Sequence, residues 1–374
     1  MDIGLVKELR SGEARVALTP AASHSLVEEG HRLFVETGAG ARAGFCDEEY
    51  GTAGAQIVYT REGAIRRAEI ITMVQAPSRD DYQIFEDEQV LFAFLLLAVQ
   101  PRDQIEALIK KRITAIGMEI ISDEHGRAPI QQAMSQIGGP LAVQMAARFL
   151  QSSEGGRGIL LGGLPGTAPA HVVILGGGAV GWAASRSALG MGAHVTVFDV
   201  DSDVLSRIHD QFGGRAMTRF PHTRLLEHLV PTADVLISAA SVHGERAPAL
   251  ISHDLVRRMK PGAVIVDVAI DTGGCVATSR PTTIEHPTYV EEDVIHCCIP
   301  NLPALVARTS SYVLANASLP YLRKLAGMGP RSAIVADSDL AAGVYIDQGV
   351  IKISSIRERM ETVDATGSDG KASN

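Results

Sequence analysis

Short apolar runs alternate with longer stretches of helical periodicity along most of this chain. Ile3–Val6, Arg32–Glu36, Gln56–Tyr59, Ile70–Val74, Val90–Leu97 and Ile113–Met118 read as strands. Helices are expected over 18–30 and near 61–67, 79–86 and 102–111. The first of these has Thr19 as N-cap, Pro20 at its first position and Gly30 as its stop. Strands taken in turn with helices predict a mostly parallel sheet covered on both faces. Residues 129–151 read as a helical region interrupted at Gly138–Gly139–Pro140, and the glycine-rich run 154–169 is too irregular for a core element. This region is expected to be the crossover to a second strand series, Val172–Leu175, His194–Phe198, Asp234–Ala239, Ala263–Val268 and Val294–Cys298. A helix over Ser311–Leu325 is expected to return to the first domain.

The stretch HVVILGGGAVGWAASRSALGMGAHVTVFDV organises the rest. A buried strand leads into the tight turn Gly176–Gly181, then a helix from about Trp182 to Gly190, then a strand ending in Asp199. Gly176 permits a sharp turn, Gly178 lets backbone approach a pyrophosphate, and Gly181 allows close helix–sheet packing. Ala179 and Val180 lie in this turn beside the phosphate path, and the N-terminus of the helix that follows offers unpaired N–H groups and a positive dipole end to phosphate. Asp199 is placed to accept hydrogen bonds from a ribose diol and would repel a 2'-phosphate, which points to NAD rather than NADP. Ser238, Ala239 and Ala240 end a later strand and are small enough for close cofactor approach, although small residues there are also ordinary packing.

The fold class expected is α/β with two domains. A Rossmann-type NAD-binding domain (131–304) is inserted in a second α/β substrate domain made of both chain ends (1–130 plus 305–360), and 361–374 form a disordered tail. A length of 374 residues suits two substantial cores, and 46% hydrophobic with 21% charged residues suits a globular protein. The net charge of −9 disfavours a nucleic-acid partner. Cys46, Cys275, Cys297 and Cys298 match no disulfide framework or zinc spacing and read as buried, reduced thiols; no metal site is expected. The N-terminus shows no signal-peptide core and no run reaches membrane-spanning length, so a cytoplasmic protein with no membrane partner is expected.

Several strings in order resemble the alanine dehydrogenase family, related to saccharopine dehydrogenases and to the nucleotide-binding portion of transhydrogenases. They are RVALTP (15–20), ETGAG (36–40), GFCDEEY (44–50), GGRGILLGG (155–163), LGGGAVG, MKPGAVIVDVAIDTGGC (259–275), TSRPTT (278–283) and RTSSYVLANASLPY (308–321). The resemblance covers roughly residues 1–327. It implies two α/β domains with a small carboxylate-bearing substrate in the cleft between them, hydride transfer at a nicotinamide, and a homohexamer.

By this resemblance Arg15 binds the substrate carboxylate, a role its planar fork suits. Asp271, after an apolar strand over 264–270, handles water and protons beside the nicotinamide, and Ser135 and Asn301 lie near that ring. Each residue also has a plainer reading, Arg15 as a surface arginine and Asp271, Ser135 and Asn301 as local caps or turn residues. Trp182 reads as packing beside the phosphate turn. The family pattern has a lysine where this chain has Gln75, and a tyrosine and a histidine where it has Phe94 and Leu96. Gln75 can hydrogen-bond a substrate but carries no charge, and Leu96 does no acid–base chemistry. Pro140, Ala304 and Ala307 also depart from the pattern.

Two functions fit. One is an NAD-dependent oxidoreductase acting on the CH–N bond of an amino or imino acid other than alanine, with Gln75, Phe94 and Leu96 in the substrate site. The other is a catalytically inactive NAD(H)-binding paralogue with a regulatory or complex-forming role. A transhydrogenase-type subunit is a minor third, since 129–136 lack the loop it requires.

Overall fold

The computed structural model describes residues 1–240 and 247–367. The chain separates into two compact units, one of Met1–Met134 with Val306–Asn374 and one of Ser135–Leu305. In chain order the strands are β1 (Asp2–Leu5), β2 (Arg32–Glu36), β3 (Gln56–Val58), β4 (Ile70–Gln75), β5 (Val90–Phe94), β6 (Thr114–Gly117), β7 (His171–Leu175), β8 (His194–Phe198), β9 (Ala216–Arg219), β10 (Val235–Ser238), β11 (Val264–Asp267), β12 (Thr288–Glu291), β13 (Val294–Cys297), β14 (Val344–Asp347) and β15 (Val350–Ile351).

The first unit holds an eight-stranded sheet in the order β15-β14-β6-β5-β4-β1-β2-β3. β1 to β6 pair in parallel, and β14 and β15 close one side as an antiparallel hairpin. The second unit holds seven strands in the order β12-β13-β11-β10-β7-β8-β9, parallel except for β12. The central strands are apolar along their whole length because helices cover both faces. β4 (IITMVQ) is buried at every position but its last. Among the parallel strands of each unit the order reverses direction once, between β1 and β4 in the first and between β7 and β10 in the second. Open parallel sheets bind ligands beyond the carboxyl ends of the strands at such a reversal.

The structure corrects several expectations. Residues 129–151 are not interrupted, since one helix runs Pro129–Phe149 through Pro140. Gly139 there serves packing: a Cβ on it would lie 2.4 Å from the carbonyl oxygen of Val180 and 2.6 Å from the amide of Ala184. A glycine surface admits the neighbouring helix backbone, which outweighs poor helix propensity. The helix expected over Ser311–Leu325 is longer, Ala307–Met328, and likewise contains a proline, Pro320. The expected tail also begins too early, because the helix Ser354–Gly367 occupies its first residues; 368–374 lie outside the described residues. The strand expected over 90–97 stops at Phe94, because Leu96 turns into the left-handed region. Cys46 is exposed rather than buried, preceding the helix Asp47–Thr52, while Cys275, Cys297 and Cys298 are buried and unpaired. Among the described residues no helix is long and apolar enough to cross a membrane.

Candidate active site

In the second unit the glycine turn stands at the end of β7, at the sheet's reversal. Gly176 has φ +92°, and a Cβ there would lie 2.7 Å from the carbonyl oxygen of Ala239, at the end of β10. A Cβ on Gly181 would lie 1.8 Å from the carbonyl oxygen of Gly176. These two glycines are required by the protein's own packing. Gly178 differs, because among the described residues a Cβ there would meet nothing within 4 Å. Its backbone stands at the N-terminus of the helix Ala179–Gly190, which no side chain among the described residues caps. The free N–H groups and the bare approach fit a dinucleotide pyrophosphate.

Asp199 is half-buried beyond β8. Its Oδ2 accepts from the Gly177 amide at 2.6 Å and its Oδ1 from the Asp201 amide at 2.9 Å. Both bonds orient the carboxylate toward the glycine turn and leave each oxygen a further lone pair for a ribose hydroxyl. Val180 is half-buried in the first turn of the helix, Ser238 is fully buried at the end of β10, and Ala239 is half-buried just beyond it. Trp182 stacks on Phe212 at 5.9 Å with Arg186 over its ring at 5.1 Å, which is the packing role expected of it.

Asp271 does not lie at a strand terminus as expected. β11 ends at Asp267, and the chain then makes the 3-10 turn Val268–Thr272 that carries Asp271 to an exposed position. Its Oδ2 accepts from the Asn301 amide at 3.2 Å, and Asn301 has φ +57°. The structure thus brings Asp271 and Asn301 together. Ser135 is half-buried on the helix Pro129–Phe149.

In the first unit the candidate residues gather at the carboxyl edge of the sheet, around the reversal between β1 and β4. Arg15 is 3% exposed and Glu13 1%. Arg15 Nε donates to Glu13 Oε1 at 2.8 Å and Nη2 to Oε2 at 2.6 Å, while Nη1 reaches the Met134 sulfur at 3.4 Å. Arg15 is therefore no surface arginine. The side-on pairing fixes the guanidinium plane and leaves its Nη1–Nη2 edge as the one that can take a carboxylate. Burial raises the Glu13 carboxyl, but Arg15, and then Gln75, outweigh it and hold the pKa down at about 2.

Gln75 ends β4. Its Nε2 donates to Glu13 Oε2 at 2.8 Å, and Arg10 Nη1 donates to its Oε1 at 3.4 Å. Beneath it, buried Glu8 accepts from the Val74 amide at 2.6 Å and from the Gln75 amide at 3.3 Å. Burial pushes the Glu8 carboxyl up to about 7.

Phe94, half-buried, pairs in register with Gln75 across β4 and β5. Leu96 lies just beyond, 48% exposed, with φ +45°. A γ-branched residue in the left-handed region is strained and persists only where its surroundings impose it. Here the imposition comes from buried Glu119, which accepts from the Leu95 amide at 3.1 Å, the Leu96 amide at 2.6 Å and the Tyr345 hydroxyl at 2.8 Å.

Glu8, Glu13 and Glu119 were not among the residues singled out from the sequence. A signal existed for two of them, because the cluster ELRSGEAR (8–15) directly follows an apolar strand, where acids either cap or are buried with partners.

These two sites define a class: a two-unit α/β protein with a glycine turn of dinucleotide-site geometry in one unit and an arginine buried against a carboxylate in the other. The family models agree. Residues 4–138 match the alanine dehydrogenase/PNT N-terminal domain and 142–354 the alanine dehydrogenase/PNT C-terminal domain, so the chain belongs to the alanine dehydrogenase/PNT family. It is 40% identical to an alanine dehydrogenase of Mycolicibacterium smegmatis, over 96% of this chain and 97% of the relative. It is also 40% identical to an alanine dehydrogenase of Bacillus subtilis, over 95% and 94%. A solved L-alanine dehydrogenase superposes with TM-score 0.93 at 41% identity, over 97% of this chain and 99% of the other. A transhydrogenase from Sinorhizobium meliloti shares the fold, with TM-score 0.81 at 22% identity over 95% and 100%.

Proposed function

We propose that the protein is a cytoplasmic NAD-dependent oxidoreductase acting on the C–N bond of an amino or imino acid, working as the homohexamer that the family resemblance implies. The observation that carries this reading is the buried Arg15–Glu13 pair, with half-buried Gln75 bonded to it, at the first unit's sheet reversal. It costs desolvation, and it holds an arginine edge ready for a planar anion.

When bound, NAD supplies the hydride acceptor or donor at its nicotinamide. The chain's own residues do the rest. Arg15 binds the substrate carboxylate, and the Gln75 amide, fixed between Glu13 and Arg10, orients it. Phe94 and Leu96 offer a neutral, apolar surface at the end of β5. Asp271, exposed and oriented by Asn301, relays a proton through water to or from the substrate nitrogen. Reduction of an imine adds one hydride at carbon and one proton at nitrogen, and oxidation reverses both.

The relatives are named for alanine. A substrate other than alanine is proposed here because Gln75 and Leu96 stand where the resemblance implies a lysine and a histidine. A preformed imine needs less proton transfer than the condensation of ammonia with a carbonyl, and a neutral rim admits a larger side chain. The test is NADH consumption against 2-oxo acids of graded size, pyruvate included, each with ammonia and with primary amines. Turnover on a larger acid in preference to pyruvate supports the reading, and preference for pyruvate with ammonia overturns the substrate part. A second reading, a non-catalytic NAD(H)-binding paralogue, is favoured by Leu96 itself, which has no proton to give. It gains if the whole panel is silent while NADH still quenches Trp182.

A further inference from the structure

We infer that Arg359, on the C-terminal helix Ser354–Gly367, is a positioning residue for the loop Leu96–Gln100 that carries Leu96 at the substrate edge; the substrate part of this inference rests on the function proposed above. Arg359 Nη1 donates to the Leu97 carbonyl at 3.4 Å and to the Ala98 carbonyl at 2.6 Å, and Nη2 donates to the Gln100 carbonyl at 2.8 Å. One guanidinium thus ties three carbonyls of a single short loop. An exposed arginine ordinarily loses side-chain entropy for such contacts without compensation unless its helix is already fixed. The helix is fixed here. Ile356 and Met360 are buried in the same apolar cluster as Leu95 and Leu97, so the core contacts of helix and loop are shared.

The loop's other polar groups are held as well. Glu119 takes the Leu95 and Leu96 amides, the Gln100 side-chain amide donates to the Leu95 carbonyl at 3.0 Å, and Tyr345 on β14 braces Glu119. Glu119 therefore secures the loop from its buried side and Arg359 from its outer side. The left-handed conformation at Leu96 needs both, because a strained residue relaxes when its neighbours are free to move. Arg359, which grips the loop, and Tyr345, which braces Glu119, both come from the C-terminal segment, far away in sequence. This gives the chain end a role in substrate positioning without contact to substrate.

The test uses the full chain and compares wild type with Arg359→Ala, Arg359→Lys and Arg357→Ala. Arg357 is the control, since it donates to the Ile351 carbonyl of its own segment at 2.7 Å and does not touch the loop. Amide hydrogen exchange over residues 95–100 should accelerate at least about tenfold in Arg359→Ala, fall between the two in Arg359→Lys, and stay at the wild-type rate in Arg357→Ala. KM for the carbonyl or imine substrate should rise severalfold in Arg359→Ala, while Trp182 quenching by NADH is unchanged. Exchange that is unaltered in Arg359→Ala, or altered equally in Arg357→Ala, would overturn the inference. So would faster loop exchange with an unchanged substrate KM. A wild type silent on every substrate would refute the functional reading, and the exchange comparison would still decide whether Arg359 holds the loop.

Discussion

Glu119 and Leu96 are joined through a 2.6 Å hydrogen bond from the Leu96 amide to the Glu119 carboxylate, at a point where Leu96 is held at φ +45°. The bond couples a buried acid, its pKa raised by burial, to a strained backbone whose side chain is half in solvent. Replacing Leu96 by glycine removes strain of about 1–2 kcal/mol. It also forfeits part of a side chain's burial and adds unfolded-chain freedom, each about 1 kcal/mol. Leu96→Gly is therefore expected within about 1 kcal/mol of wild type by denaturant unfolding. Leu95→Ala empties a fully buried site and should cost about 2–5 kcal/mol. Equal losses in the two variants would show that the left-handed backbone carries no strain.

That relationship marks where the sequence stops being legible. The run VLFAFLLLA reads as one long strand because every residue is apolar, yet the turn at Leu96 is imposed by Glu119 and by Tyr345, 226 residues from Glu119. Local pattern cannot carry contacts of that range. The same holds for Gly138–Gly139–Pro140, which break helices in isolation, whereas here Gly139 admits the helix Ala179–Gly190. The glycine turn and Asp199 were legible because their chemistry is local, with turn, helix start and acid in a fixed order. Arg15 was singled out through the family resemblance, whereas its partner Glu13 had only the weaker signal of the acid cluster 8–15, and the structure showed the two paired and buried.

Two of the fingerprint glycines, Gly178 and Gly181, should separate by experiment. A Cβ on Gly181 collides with the Gly176 carbonyl oxygen at 1.8 Å, so Gly181→Ala should lose about 1–3 kcal/mol or more of stability. Gly178 has an extended backbone with φ −61° and, among the described residues, open space around its would-be Cβ, so Gly178→Ala should melt like wild type. It should nonetheless weaken NADH at least about tenfold, the cost of about one lost charge-assisted hydrogen bond. Thermal melts and Trp182 quenching give both readouts, and wild-type NADH affinity in Gly178→Ala would show that the pyrophosphate does not cross there.

Glu8 and Glu13 should shape stability in opposite directions with pH. The folded-state pKa of Glu8, about 7, is above the ordinary 4.5, so its contribution is fully present below pH 4.5 and is lost as pH rises through 7. A displacement of that size is on the order of 3 kcal/mol. Glu13, held at about 2, contributes above pH 4.5 and loses its contribution as pH falls through 2. Urea unfolding of wild type and Glu8→Gln from pH 4.5 to 8 should show the variant gaining relative to wild type as pH rises. Parallel curves would mean that Glu8 ionises in the fold as easily as in the unfolded chain.

Arg15 cannot be tested by a single truncation. Arg15→Ala deprives Glu13, 1% exposed, of the guanidinium that balances its charge, and removing one partner of a buried pair costs about 3–5 kcal/mol. Lost turnover in that variant would report misfolding as readily as lost binding. Arg15→Ala combined with Glu13→Gln removes that charge and keeps an acceptor for the Gln75 amide, so most of the stability should return. Catalysis should not return. A carboxylate bound through charged hydrogen bonds worth about 1.5–3 kcal/mol each loses on the order of a hundredfold or more in kcat/KM when its arginine is gone. A double variant that is stable, binds NADH and turns over substrate at the wild-type kcat/KM would remove Arg15 from the substrate site. A stable double variant with NADH affinity intact and a collapsed kcat/KM would place the substrate carboxylate on Arg15, at the reversal between β1 and β4.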